Sequence, residues 1–143
     1  MPIDSKQKKL NVGEIVIDFL QHNPQGMPVS VVVPAILTEL SNPNVKTRQI
    51  GNTLFEIIPG KNSTAFFKAF NADTGQNFVE NSKQFVVWAK HVLGLQTLVT
   101  QFTDPSIETL FKVIEANPPM PGMDYKVQKA QDGQTVIFLN LGA

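Results

Sequence analysis

Hydrophobic residues recur along this chain with two different periods, and the period changes near residue 53. Ahead of that point one helical stripe is clear, formed by Val12, Ile15, Val16, Phe19 and Leu20. This is the i, i+3, i+4, i+7 spacing of an amphipathic helix. Asn11 with Glu14 predicts a reciprocal cap at its start. Residues 28–40 are ambiguous, because the valines at 29 and 31–33 favour a strand. The helical spacing of Val33, Ile36, Leu37 and Leu40 predicts instead a second helix whose first turn holds Pro34.

From residue 53 onward the chain predicts strands and helices in alternation. Apolar residues fill 54–58 and 65–70 on either side of a turn, which indicates a β-hairpin. The later predicted elements are a helix over 78–92, a strand over 97–102, a helix opened by Asp104 and Pro105, and a hairpin over 125–141. Gly94 is placed to end the first of these helices. Its buried face is expected to hold Phe78, Phe85, Trp88, Ala89 and Val92.

A strand, a helix and a second strand joined by a crossover of this length form a right-handed parallel unit. We therefore expect the strands around Phe66 and Val99 to be parallel, with antiparallel hairpins beside them. The predicted fold class is α/β, of the α+β type with a mixed sheet. Along the chain, the N-terminal helices are followed by a hairpin, a helix, a strand, a helix and a second hairpin, in that order. One domain over residues 1–143 fits the length, with 1–9 as a flexible tail.

Composition removes several classes of function. Twelve basic and twelve acidic residues cancel, and Arg48 is the only arginine, so no basic surface for nucleic acid is expected. Without cysteine there is no disulfide, thiolate nucleophile or cysteine-bound zinc, and the histidines His22 and His91 are far apart in sequence. No apolar run is long enough to span a membrane. The expectation is a soluble, cytoplasmic protein with no metal.

Two carboxylates are candidate general bases, because they lie on or beside the central hairpin at strand ends. Glu56 belongs to the first strand of that hairpin and Asp73 to the turn after the second. A carboxylate there could take a proton directly or through water. The alternative is that Glu56 is a solvent-facing strand residue and Asp73 an ordinary turn residue.

The element order from residue 53 resembles the C-terminal portion of the GNAT superfamily of N-acetyltransferases. Four segments carry the resemblance: residues 73–81 as the pyrophosphate turn, 96–102 as a splayed strand, Ser106 with Leu110 and Phe111 as the helix signature, and 122–125 as the glycine-aromatic start of the last hairpin. The resemblance implies acetyl-CoA or CoA as cofactor and a small amine as substrate. The residues it implies for CoA binding are Gly75, Gln76, Asn77, Val99, Thr100, Ser106 and Phe111.

The chain also departs from that family's pattern. The turn keeps a single glycine, Gly75, where the family has two, and no arginine accompanies it. Phe111 stands where many members have a tyrosine that protonates the leaving thiolate, and phenylalanine has no proton to give. The main hypothesis is therefore a GNAT-like protein with degenerate catalytic motifs, acting as a structural or interaction protein.

Three stretches, QFTDPSIETLF, PPMPGMDYKV and the terminal NLG, are similar to small GNAT-like proteins of tailed bacteriophages, which implies a phage context and a virion partner. An active acetyl-CoA-dependent N-acetyltransferase is the alternative hypothesis. A third is a winged-helix-like DNA binder with residues 54–70 as its wing. Self-association stays open, because residues 136–139 are apolar on both faces and call for a covering helix or a partner strand.

Overall fold

In the part of the chain that the computed structural model describes, four helices pack against the two faces of a six-stranded mixed sheet. The structure describes residues 9–22, 26–102, 105–130 and 133–142, and only the backbone for 102 and 105–108. The elements in chain order are α1 (Val12–His22), α2 (Val29–Leu40), β1 (Lys46–Ile50), β2 (Thr53–Pro59), β3 (Thr64–Asn71), α3 (Gly75–His91), β4 (Thr97–Phe102), α4 (Pro105–Ala116), β5 (Asp124–Lys129) and β6 (Thr135–Asn140).

The sheet order is β1-β2-β3-β4-β6-β5, with β3 and β4 parallel and the other described neighbours antiparallel. Phe66 and Val99 are direct partners in the parallel pair, which confirms that prediction. The predicted hairpin of 54–58 and 65–70 is correct but incomplete, because β1 adds a third strand beside β2. The wing assigned to residues 54–70 is wrong, because β2 and β3 are inner strands of the sheet rather than an exposed hairpin.

The N-terminal helices follow their sequence signals with one correction. The Asn11 N–H donates to Glu14 Oε1 at 3.0 Å, and the Glu14 N–H donates to Asn11 Oδ1 at 2.8 Å, so the predicted capping box is present. Helix α2 begins at Val29, and Pro34 lies inside it rather than in its first turn. The ring removes one intrahelical N–H donor, a loss that a helix of 12 residues tolerates here.

Helix α3 begins three residues earlier than predicted. Its first turn contains Gly75, Gln76 and Asn77, which the hydrophobic pattern had left outside the helix. At the other end Gly94 has φ +69°, and its N–H donates to the Lys90 carbonyl at 3.1 Å, so glycine ends the helix as predicted. Val92 is 67% exposed, which corrects its place on the buried face, because the helix has ended at His91.

Two hydrophobic clusters fill the two faces of the sheet. The larger joins α3 and α4 to one face and includes Phe55 stacked on Phe85, with ring centroids 4.1 Å apart. The smaller joins α1 and α2 to the other face, through Leu54 and Phe70 on the strands. Since alternate residues of a strand point to opposite faces, Glu56 lies on the same face as Leu54. It therefore lies on the side of the N-terminal helices.

The terminal hairpin is covered on one face. Ile137, Leu139 and Leu141 belong to the larger cluster, so that face of β6 is buried within the chain. Phe138 lies on the other face and is 38% exposed. Helices of the same chain therefore cover one face of the terminal hairpin, as predicted, and leave Phe138 on the other face partly exposed. No helix among the described residues is long and apolar enough to cross a membrane.

Candidate active site

The parallel strands β3 and β4 separate soon after they meet. They pair at three positions, Thr64 with Thr97, Ala65 with Leu98 and Phe66 with Val99. Beyond these positions β3 continues to Asn71 and β4 to Phe102, and no further pairs join the two strands. The gap opens toward the carboxyl ends of the strands, where open α/β sheets bind their ligands.

A cleft of about 1000 Å³ extends through this gap from one face of the sheet to the other. On the α3 and α4 side its walls include Phe78, Ser82, Phe85, Leu110 and Phe111, and on the α1 and α2 side Phe19, Val32, Ile36 and Glu39. A volume of this size holds an extended small molecule. The mostly apolar walls with a few polar groups are typical of such a site.

The N-terminus of α3 stands at the open end of the gap. Strand β3 ends at Asn71, and α3 begins four residues later at Gly75. The Phe78 N–H donates a hydrogen bond to the Thr74 carbonyl at 2.8 Å. The first N–H groups of a helix have no acceptor within it, and Thr74 contributes no side-chain cap. The end of α3 therefore presents backbone donors and the positive end of the helix dipole to the gap.

Gly75 faces open space, because a Cβ built there meets no atom within 4 Å. A bound anion could therefore approach the backbone closely at this position. The only arginine lies elsewhere, since the Arg48 guanidinium stacks over the Trp88 ring at 5.1 Å from its centroid. The helix N-terminus is accordingly the anion-binding element that this gap offers.

Asp73, predicted as a possible base, lines the cleft but its carboxylate is engaged. Its Oδ2 accepts a hydrogen bond from the Asn52 N–H at 2.8 Å and another from Asn81 Nδ2 at 2.7 Å. Neighbouring bonds join Thr53 and Asn71 to the same group. This network ties the β1–β2 turn to the junction of β3 and α3, which positions the start of α3 at the gap.

Replacing Asp73 by Asn is therefore expected to lower the free energy of unfolding by about 2 kcal/mol, because bonds to a charged acceptor are lost or weakened. Urea denaturation measures the change, with the exposed Asp124→Asn as the matched control. In a double-mutant cycle with Asn81→Ala, the two effects should be non-additive. Full stability of Asp73→Asn together with loss of activity would instead make Asp73 a catalytic base.

Glu56, the other predicted base, is fully buried on β2, and neither of its carboxylate oxygens has a hydrogen-bond partner among the described residues. The alternative of a solvent-facing strand residue is wrong, because β2 is an inner strand covered on both faces. The pKa of Glu56 is raised to about 7, first by burial and then by the hydrogen bond that its protonated form can donate to Glu39 and by the charge of Glu39, while Lys68 opposes the rise. Such a carboxyl can hold or release a proton near neutral pH.

Lys68 and Glu39 lie between Glu56 and the cleft. Lys68 is the cross-strand partner of Glu56, so the two side chains leave the sheet on the same face. Its Nζ donates to Glu39 Oε2 at 3.2 Å. Both Lys68 and Glu39 line the cleft, whereas Glu56 does not. The pKa of Glu39 is lowered by Glu56 and Lys68 against the opposing effect of burial.

The residues predicted on β4 and α4 divide between the cleft and its surroundings. Thr100 is buried and lines the cleft just beyond the last strand pair, while Val99 is the residue of that pair. Phe111 is buried on the cleft wall, and its ring lies 5.9 Å from that of Tyr125. Ser106 is in α4, but its side chain lies outside the described residues, as does the predicted cap Asp104.

Sequence reasoning missed the groups that α1 and α2 bring to the cleft. Asp18 and His22 on α1 and Glu39 on α2 all line it. His22 Nδ1 lies 3.4 Å from Asp18 Oδ1, and Glu39 pairs with Lys68 as described. No sequence signal links these helices to the gap, because their place over the sheet is set by packing. Among the described residues no cluster of three or more His, Cys, Asp or Glu could hold a metal.

The fold of the described residues, a mixed sheet of six strands with four helices, is similar to that of solved N-acetyltransferases. The spermidine N-acetyltransferase SpeG from Vibrio cholerae, in a mutant form, matches with TM-score 0.59 and 12% identity, covering 94% of each chain. An aminoglycoside 6'-acetyltransferase type Ii matches with TM-score 0.63 and 10% identity, covering 95% of this chain and 97% of that one.

A third solved structure is the N-acetyltransferase PseH of Campylobacter jejuni, in complex with acetyl coenzyme A. It matches with TM-score 0.53 and 13% identity over 92% of each chain. No protein-family profile matches this chain, and no curated protein matches its sequence. At these identities the comparisons establish the fold.

Proposed function

We propose that this protein is an acyl-CoA-dependent N-acyltransferase that acetylates a small amine. The observation that carries the proposal is the separation of β3 and β4 after Phe66 and Val99, with the N-terminus of α3 at the open end. The three solved structures described above are N-acetyltransferases, and one of them holds acetyl coenzyme A. This supports the enzymatic alternative over a structural role.

The chain's own groups fit an acyl-CoA in three places. Backbone donors at Gly75 and Gln76, with the helix dipole, suit the pyrophosphate. The gap-facing edges of β3 and β4 have left their ladder, so their N–H and C=O groups suit the amides of the pantetheine arm, as an added strand would. A backbone N–H near Thr100 can polarise the thioester carbonyl. The bound CoA thioester supplies the activated acyl group.

The acceptor amine would enter from the side of α1 and α2. Asp18 and Glu39 give that wall two carboxylates that suit an ammonium group. The amine must lose a proton before it attacks, and Glu56 is the group whose pKa suits the task. Because Glu56 lies behind the cleft wall, the proton would pass through Glu39 or a water molecule.

Phe111 leaves the thiolate without the tyrosine that the family often uses. Among the described residues on the α3 and α4 side of the cleft, Thr100 and Ser82 carry hydroxyl groups, and each can donate a hydrogen bond to a thiolate. Neither is a strong acid, so solvent would supply the final proton. Activity is therefore expected to be modest.

The test is the release of free thiol from acetyl-CoA in the presence of primary amines, including a polyamine and an aminoglycoside. Amine-dependent release above the rate without protein supports the proposal. A matched variant, Thr100→Val, removes the hydroxyl at similar size and should slow the reaction. No release with any amine, from protein that binds acetyl-CoA, would contradict acyl transfer while leaving the cofactor site intact.

A catalytically silent structural role is the second candidate, and Phe111 is the observation that favours it. It would suit a protein of phage origin that associates with virion components or with itself, at a cytoplasmic location in the host. Copurification with virion proteins would support this role. Absence from purified particles together with amine acetylation would overturn it.

A further inference from the structure

Lys68 places a primary amine inside the cleft, just past the point where the strands separate. It is the second residue of β3 beyond Phe66, the last to pair with β4. Its side chain is 45% exposed and lines the cleft on the α1 and α2 side, the same face of the sheet as Phe70. No other lysine among the described residues lines this cleft.

Two carboxylates flank that amine from two different elements. Glu39, on α2, accepts a hydrogen bond from Lys68 Nζ at 3.2 Å. Glu56, on β2, is the residue directly across the strand ladder and is 0% exposed; as a carboxylate it has no donor on either oxygen, whereas its protonated form can donate a hydrogen bond to Glu39. A buried polar group with no partner needs an explanation. A role in receiving a proton from Lys68 provides one.

We propose that Lys68 is a self-acylation site, whose Nζ accepts the acyl group of an acyl-CoA thioester bound in the gap. The inference rests on the proposed function, because that function brings the thioester within reach of Lys68. Lys68 would then be the first amine that the enzyme acylates.

Acyl transfer to Lys68 exchanges the C–S bond of the thioester for an N–C bond. The Lys68 ammonium gives one proton to the Glu39–Glu56 carboxylate pair. The neutral Nζ then attacks the thioester carbonyl carbon, an N–C bond forms, and the C–S bond breaks. CoA leaves as a thiolate and takes a proton from solvent, and the second proton of the nitrogen passes to water. The product is a neutral amide and free CoA.

Acylation would change the acceptor side of the cleft. The amide no longer carries the charge that pairs with Glu39, so Glu39 becomes available to the ammonium group of a free amine. Unmodified Lys68 competes with such an amine for the same carboxylate. Self-acylation would therefore prepare the cleft for its acceptor.

The test is peptide mapping by mass spectrometry after incubation of the full chain with acetyl-CoA. Lys61 and Lys126, both exposed and away from the cleft, are internal controls. Because proximity raises the effective concentration of the thioester, Lys68 should be acetylated at least about tenfold faster than either. In denaturant the three rates should converge. Glu56→Gln should slow only Lys68, and Lys68→Arg, which keeps the charge, should remove that modification.

Two outcomes overturn the inference, and they are distinguishable. If acetyl-CoA raises Tm but Lys68 reacts no faster than Lys61, self-acylation is wrong and the proposed function stands. If acetyl-CoA causes no thermal shift and no lysine is selectively modified, the proposed function fails with it. Equal slowing of Lys68 and Lys61 in Glu56→Gln would also count against the assigned proton acceptor.

Discussion

Replacing Glu56 by Met is expected to raise the free energy of unfolding at pH 8 by about 2 kcal/mol. As a carboxylate Glu56 is fully buried with no hydrogen-bond donor beside it, and its pKa is raised from the ordinary 4.5 to about 7, mainly by burial and then by Glu39. The rise from 4.5 to about 7 corresponds to roughly 3 kcal/mol of unfavourable ionisation; the expected gain is smaller because Met also loses the attraction of Lys68. Methionine has similar length, fills the space and carries no charge.

The same shift sets a pH dependence with a definite sign. Below about pH 4.5 the folded and unfolded chains both hold the Glu56 proton, so its contribution to stability is complete. Between 4.5 and about 7 the unfolded chain has released the proton while the folded chain keeps it, so stability falls as the pH rises. Glu39, whose pKa is lowered, acts in the opposite sense, and its effect lies toward more acid pH.

Urea denaturation of wild type and Glu56→Met at pH 4.5 to 8 measures this contribution, with the exposed Glu80→Gln as the matched control. The wild-type curve should decline across that window, the Met variant should be nearly level, and Glu80→Gln should follow wild type. A Met variant that is less stable at pH 8 would mean that Glu56 makes a favourable interaction there.

Replacing Gly75 by Glu is expected to weaken CoA binding by about tenfold or more relative to Gly75→Gln. The two side chains have nearly the same shape, and a Cβ at Gly75 meets open space, so the variants differ mainly in charge. A carboxylate near the pyrophosphate costs on the order of 1–2 kcal/mol. The same charge stabilises the start of a helix by about 0.3–1 kcal/mol.

Affinity and stability should therefore move in opposite directions in Gly75→Glu. Calorimetric titration with CoA measures the affinity, and thermal unfolding measures the stability. Loss of affinity together with loss of stability would indicate a folding defect instead. Equal affinity of the Glu and Gln variants would place the pyrophosphate away from α3.

The fold was predictable where hydrophobic period and turn residues agree. The stripe of α1, the parallel pair of β3 and β4 and the end of α3 at Gly94 follow from local pattern. Strand β1 was missed because Lys46–Ile50 has one apolar residue, Ile50, and gains its structure from pairing with β2 at the sheet edge. The first turn of α3 was missed because Gly75, Gln76 and Asn77 have no apolar side chains, so they add nothing to the hydrophobic pattern that predicts a helix.

The site was predictable in part. Position along the chain placed Glu56 and Asp73 near the sheet's ligand edge, but burial and hydrogen bonding give them different surroundings. Asp73 is held by Asn52 and Asn81, whereas Glu56 has no partner. Glu39 and Lys68 meet only when α2 packs over β3, a contact between residues 29 positions apart. No local pattern encodes that contact.

The most direct test of the central claim is calorimetric titration of the wild-type protein with acetyl-CoA. The separation of β3 and β4 beside the N-terminus of α3 predicts saturable binding at one site per chain, together with a rise in Tm that grows with ligand concentration. The absence of heat and of any thermal shift at millimolar acetyl-CoA would contradict the account, because the gap would then not be a site for this thioester.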